Sequence, residues 1–300
     1  MEIEEAKGQV SGIKGIFLCR CLLVKLAVFV LGAVLLTSPA LARIIGGFEL
    51  PAKKLKSRPV MSATGPIHSA TQSGPTFTEP VTGMEFVWVP GGCFLMGSND
   101  GDRDEKPVHK VCVDGFWMGK YEVTQGQWKK IMGRNPSKFK KGDNYPIEEV
   151  SWNDCQEFIK KLNVKNSRKF RLPTEAEWEY VCRKGREKKK YFGGANINEI
   201  ASCYADNSGL HTNPVGSKSA NSLGVYDLSS NVWEWCSDWY GENYYAKSPE
   251  HNPRGPSSGF YRVVRGGRWD YYPRLVRVAD RYRYNPGYHY QLLGVRLVSQ

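Results

Sequence analysis

Arg171-Leu172-Pro173-Thr174-Glu175-Ala176-Glu177-Trp178-Glu179-Tyr180 reads as a strand end, a turn and a helix start in immediate succession. Pro173 biases Leu172 toward extended backbone, so the preceding residues cannot run on as a helix. Thr174 with Glu177 three residues later forms a capping box, in which each side chain serves the other's backbone N–H. Trp178, Val181 and Cys182 then share one face, which predicts a short amphipathic helix through Cys182. Two more helices lie upstream. Ser151 can cap Trp152 to Leu162, with Phe158, Ile159 and Leu162 at helical spacing, and Thr124 can cap Gln125 to Met132, ended by Gly133. Everything else is short strand-like runs punctuated by Gly and Pro. The expected architecture is an irregular, loop-rich α+β domain.

All nine tryptophans lie at or beyond Trp88. Residues 43–81 are instead rich in Pro, Ser, Thr, Gly and Lys, and read as a flexible linker. One domain is therefore expected over 82–300. Ahead of the linker, Lys14, Arg20 and Lys25 precede an apolar run from Leu26 to Leu36, and Ala40-Leu41-Ala42 supplies small residues for a signal peptidase. Residues 1–42 read as a signal peptide cleaved after Ala42, for an exported protein, periplasmic or secreted. Uncleaved, the same run would serve as a membrane anchor. Nothing beyond it approaches a membrane span.

The net charge of +12 comes from 42 basic and 30 acidic residues. The basic residues are spread along the chain, so no nucleic-acid partner is expected. Six cysteines follow residue 42, namely Cys93, Cys112, Cys155, Cys182, Cys203 and Cys236, an even count that suggests disulfides in an exported chain. None forms a C-x-x-C pair, which argues against zinc. Cys93 and Cys112, each in a strand-like run on either side of a polar loop, are the best local pair. Closing that loop would be worth on the order of 3 kcal/mol in the chain-entropy view. With no heptad and no long exposed apolar helix, a monomer is expected.

Several segments stand in a fixed order. Phe86-Val87-Trp88-Val89-Pro90-Gly91-Gly92 is followed by Phe94-Leu95-Met96-Gly97-Ser98, by Lys120-Tyr121-Glu122-Val123-Thr124 and by the Arg171 to Tyr180 stretch. Gly224-Val225-Tyr226-Asp227, Asn231-Val232-Trp233-Glu234-Trp235, Arg265-Gly266-Gly267 and Gly294-Val295-Arg296-Leu297 complete the series. In this order they resemble the formylglycine-generating enzyme, or sulfatase-modifying factor, family over about residues 82–298. The resemblance implies a fold related to C-type lectin-like domains.

That family's name-giving enzymes oxidise a sulfatase cysteine to formylglycine with copper and oxygen, binding copper(I) through two cysteines after a Gly-Gly-Ser segment. Here Gly266-Gly267 is followed by Arg268, and no cysteine occurs through Arg281. Copper(I) requires soft thiolates, so copper is not expected. The five histidines, His68, His109, His211, His251 and His289, show no paired ligand spacing. No catalytic residue is assigned.

The resemblance also implies a structural calcium held by the Asp227 and Glu234 side chains and the carbonyls of Ser230 and Val232. Hard oxygen donors on a turn suit calcium, which is the expectation here; the alternative is a turn held by hydrogen bonds alone, with Asp227 capping its own backbone. In the family the C-terminal stretch lines the substrate groove. Here that stretch holds Trp269, Asp270, Tyr271, Tyr272, Arg274, Arg277, Arg281, Tyr282, Tyr284, Tyr288, His289 and Tyr290. Tyr gives contact area at low entropic cost and Arg gives directed hydrogen bonds, a composition suited to recognition. It also resembles the variable ends of proteins diversified by retroelements. Two functions stay open: a divergent family member without the copper-dependent oxidation, or a non-catalytic, lectin-like module that binds a peptide, glycan or protein.

Overall fold

The computed structural model describes residues 74–184, 209, 211–229, 231–270 and 277–300. The expected signal peptide and most of the expected linker lie outside the described residues, as do Cys203, Ser230, Tyr271, Tyr272 and Arg274.

The described residues form eleven short strands and three α-helices in the order β1 (Thr76–Thr78), β2 (Glu85–Val89), β3 (Gly92–Met96), β4 (His109–Val113), β5 (Phe116–Gly119), α1 (Gln125–Met132), α2 (Trp152–Val164), β6 (Phe170–Arg171), α3 (Glu175–Lys184), β7 (Trp233–Trp239), β8 (Arg262–Arg265), β9 (Tyr282–Tyr284), β10 (Leu293–Gly294) and β11 (Val298–Ser299). One sheet has the order β1-β2-β5-β11-β6, a second β10-β7-β8-β9, and β3 pairs with β4 alone. The irregular α+β architecture expected from the sequence is what the chain adopts. No helix among the described residues is long and apolar enough to cross a membrane. Strand β1 pairs with β2 ahead of the boundary placed at residue 82, because Phe77 stacks on Phe86 at 4.9 Å and extends the sheet by one strand.

Two cores form because strands present alternate residues to opposite faces. On β2, Phe86 enters one core and Val87 and Val89 the other. On β7, Trp233 and Trp235 join Trp128, Phe158 and Leu292 in the first core, while Cys236 packs with Trp178, Val181 and Val263 in the second. Each helix starts where its cap was read. Thr124 with Gln127, Ser151 with Asp154, and Thr174 with Glu177 all close reciprocal boxes. Gly133 ends α1 at a φ of 74°, a conformation that costs glycine little.

Cys93 and Cys112 face each other across the β3–β4 ladder and are disulfide-bonded, with Cα atoms 3.9 Å apart. The wider expectation of disulfides does not extend to Cys155, Cys182 and Cys236, which are buried free thiols in the cores. Burial pushes all three thiols well above their ordinary range.

The segment from Arg134 to Asn144 has no regular structure but is firmly tied down. Buried Gln125 donates to the carbonyls of Phe139 at 2.9 Å and Pro146 at 3.2 Å, and accepts from Asn135 at 2.8 Å. Glu148, with 0% exposure, accepts from the Phe139 N–H at 2.7 Å. Burial raises its carboxyl to about 7. The same cause raises Asp238 to about 7 and Asp280 to about 7.

Acids raised in the folded state bind protons that the unfolded chain releases, so their contribution weakens as pH climbs from the ordinary carboxylate range through about 7. Asp154 and Glu179 are shifted the other way, and their contribution is lost only as pH falls through their lowered values. Thermal melts should therefore show stability falling between about pH 5 and pH 8. Glu148→Gln keeps the acceptor for Phe139 and should remove roughly 2 kcal/mol of that slope. A variant whose pH profile parallels wild type would show that Glu148 does not titrate in this window.

Candidate functional site

The expected recognition surface divides once it is folded. Tyr282 and Tyr284 stand on β9, an edge strand, and Tyr288 and Tyr290 follow in the next loop. Their rings form a continuous series above the β7 tryptophans. Tyr282 lies 5.9 Å from Trp233 and 5.1 Å from Tyr284; Tyr284 stacks on Tyr288 at 5.4 Å and 12°, and Tyr288 meets Tyr290 at 5.8 Å. Tyr282 is 44% exposed and Tyr288 45%, so both stay open to a ligand. His289, also exposed, sets Nε2 2.6 Å from Asp154 Oδ2 at the N-terminus of α2. Hydrogen bonds from Ser151, together with His289, outweigh the burial of Asp154 and hold its carboxyl below its usual range. This shape is a half-open aromatic pad with a charged edge, suited to stacking and directed hydrogen bonds.

Arg277, Arg281 and Trp269 do not belong to that pad. Arg281 is 5% exposed: Nε and Nη2 bind Glu175 at 2.7 and 2.8 Å, and Nη1 donates to the Asp104 carbonyl at 2.6 Å. Arg277 forks onto Glu105 at 2.7 and 2.5 Å. Trp269 is buried with its ring edge-on to Phe139 at 5.5 Å, and Asp270 pairs with Arg268 at 2.8 Å. Buried carboxylates claimed the two arginines, because an unpaired charge in the interior costs several kcal/mol.

Those carboxylates belong to a network the sequence reading missed. Fully buried Arg265 bridges Glu175 at 3.0 Å and Glu179 at 2.6 Å, both on α3, and donates to the Val278 carbonyl at 2.7 Å. Glu179 also accepts from Arg183 at 2.6 Å and from the Gly97 N–H at 2.8 Å. The available signal was a charge inside an apolar run, as in Arg262-Val263-Val264-Arg265 and Leu292-Leu293-Gly294-Val295-Arg296.

Arg296 marks the second centre, at the turn considered for calcium. Its guanidinium, 0% exposed, binds both oxygens of Glu234, at 2.6 Å from Nη2 and 3.0–3.1 Å from Nε. Trp178 Nε1 adds 2.8 Å to Glu234 Oε2. Asp227 adopts a φ of 59° and accepts from the Gly216 N–H at 2.6 Å. Val232 follows in the chain and donates its N–H to buried Glu122 at 3.3 Å, and Asn231 donates to the same carboxyl at 2.7 Å. Burial first, then the charges of Asp227 and Glu234, push Glu122 well above the carboxylate range; Arg296 pulls the other way. The electrostatics of three buried carboxylates around one arginine suit an added cation. Glu234 complicates the fit, since its lone pairs already take bonds from Arg296 and Trp178.

Two other acidic groupings are already engaged. Asp102, Glu105 and Asp280 converge, but Arg277 occupies the space between them at 3.8, 2.5 and 3.6 Å. Cys112 lies beside Glu250 and His251 but is bonded to Cys93. Among the described residues, each cysteine is therefore a disulfide partner or a buried, protonated thiol, and none is a solvent-facing thiolate.

Known proteins resemble this chain in sequence and in fold. The chain is 34% identical over 230 residues to "Serine/threonine-protein kinase pkn1" of Chlamydia caviae, covering 68% of this chain and 36% of that protein. It thus spans about a third of that relative's length. It is 37% identical over 172 residues to "Formylglycine-generating enzyme" of Streptomyces coelicolor, covering 52% of this chain and 53% of that protein. The solved structure "Treponema denticola variable protein 1" superposes with a TM-score of 0.69 at 29% identity, covering 75% of this chain and 98% of that one. Residues 72–300 match the sulfatase-modifying factor enzyme 1-like domain, and the chain belongs to that family.

Proposed function

We propose that this chain is an exported, divergent member of the family that has given up copper-dependent cysteine oxidation and works as a binding module through its tyrosine pad. The observation that carries this reading is a contrast. The segment after Gly266-Gly267 lacks cysteine altogether, while Tyr282 and Tyr288 keep nearly half their surface open. Copper(I)–thiolate oxidation needs a reachable thiolate, and the buried, raised thiols of Cys155, Cys182 and Cys236 do not supply one. A recognition site needs open, rigid aromatic area, and β9 with its following loop supplies that.

The test is an activity assay with a positive control. Incubated with a cysteine-containing sulfatase peptide, copper(I) and oxygen, the protein should leave the peptide mass unchanged while a competent enzyme converts it to formylglycine. Conversion by this chain would overturn the reading. Export is checked by N-terminal sequencing of the protein recovered outside the cytoplasm, expected to begin at Arg43.

Calcium at the Asp227 turn is part of the same proposal, with Asp227 and Glu234 as side-chain ligands and Ser230 and Val232 as carbonyl ligands. The excess negative charge around Arg296 supports it; an ion there would share Glu234 with the guanidinium. Saturating calcium should raise the melting temperature by several degrees, and Asp227→Asn should cancel the rise. An unchanged melt together with silent calorimetry would leave Arg296 as the turn's cation.

A further inference from the structure

The stretch from Lys129 to Gly142 holds six cations, Lys129, Lys130, Arg134, Lys138, Lys140 and Lys141, and no carboxylate. All six are exposed. Read along the whole chain, the basic residues look dispersed; in the folded protein these six share the end of α1 and one pinned loop. Gln125 and Glu148 fix that loop's backbone from below, so its charges sit on a defined surface.

The loop adjoins the tyrosine pad. Just past the loop, the Glu149 N–H donates to the carbonyl of Tyr290 in the pad at 3.1 Å. Arg134 Nη2 lies 3.8 Å from Asp154 Oδ1, whose other oxygen takes His289. Two exposed amides stand between the halves. Asn285 accepts from the Gly287 N–H beside Tyr288, and the Asn153 backbone donates to Pro286.

We propose that this face binds an acidic glycan, an inference that rests on the binding-module reading. Sugar rings lie on the faces of Tyr282 and Tyr288, whose flat apolar area matches the C–H face of a pyranose. Ring hydroxyls meet the amides of Asn153 and Asn285. Carboxylate or sulfate groups meet Arg134, Lys138, Lys140 and Lys141, where flexible point charges can follow anions spaced along a polymer. An acidic peptide would use the cations but leave the ring faces without a partner of matching shape. A nucleic acid would bring its closely spaced phosphates past Asp154, which lies beside Arg134 and His289.

The test measures binding of the intact protein to heparin, polygalacturonate, neutral dextran, polyglutamate and duplex DNA at low and moderate salt. Heparin or polygalacturonate should bind, with affinity falling roughly tenfold or more between about 50 and 200 mM salt. Lys138→Glu/Lys140→Glu/Lys141→Glu should lose at least about tenfold. Tyr288→Ala should lose about five- to tenfold while keeping the salt dependence. Both variants change exposed side chains, and melts within a few degrees of wild type would confirm that they fold. Unchanged glycan binding in the triple variant would overturn the proposal. So would equal binding of polyglutamate or DNA that ignores Tyr288→Ala, since charge alone would then explain it. Dextran binding lost in Tyr288→Ala would sink the acidic-glycan inference and leave the tyrosine surface standing as a binding site. Failure of every probe with folded protein would also overturn it.

Discussion

Arg265 and Arg296 are fully buried, and the rest of the domain is arranged to make that tolerable. A guanidinium taken out of water without partners costs several kcal/mol, more than any single packed side chain returns. Each of the two therefore gathers carboxylates and carbonyls from elements distant in sequence. Arg265 on β8 ties down Glu175 and Glu179 on α3 and the carbonyl of Val278 ahead of β9. Arg296 ties Glu234 on β7 to the carbonyls of Gly119 and Tyr226. Strands of two to seven residues and helices of eight to thirteen residues cannot define a shape by themselves. Ion pairs across the second core fix how they meet, which hydrophobic contact, being non-directional, cannot do.

The same demand explains which parts of the C-terminal stretch became surface. Arg277, Arg281 and the tyrosines are interleaved in sequence, and nothing in composition separates them. In three dimensions Glu105 and Glu175 were already buried and needed cations, so Arg277 and Arg281 turned inward. The tyrosines stack on Trp233, Trp235 and one another, and Tyr282 and Tyr288 leave nearly half their surface exposed.

What the sequence made legible was local. All three helix starts could be read because a cap is a short-range device: Thr124, Ser151 and Thr174 each act on a residue three positions away. The Cys93–Cys112 bond was readable for a related reason, since the two strands join through a single loop. Long-range pairings gave almost no warning. Arg281 meets Glu175 from 106 residues away and Arg296 meets Glu234 from 62, and neither partner reveals the other in one dimension. Strand β1 escaped notice because three residues, Thr76-Phe77-Thr78, cannot show an alternation clear enough to count. The basic loop was diluted when charges were weighed along the whole chain, and it emerged only when Gln125 and Glu148 were seen to hold its backbone in place.

A fold held in this way can change its chemistry at low structural risk. Arg265 takes the backbone carbonyls of Val278 and Ala279 from the stretch after Gly267, so those two side chains stay outside the ion-pair network, whereas Arg277 and Arg281 of the same stretch brace Glu105 and Glu175. The outer faces of Tyr282 and Tyr288, and the lysines of the loop after α1, are likewise outside the network, so they can vary with whatever the surface must hold. Scaffold and recognition face thus answer to different constraints: the first to the cost of burying charge, the second to the shape and charge of a ligand.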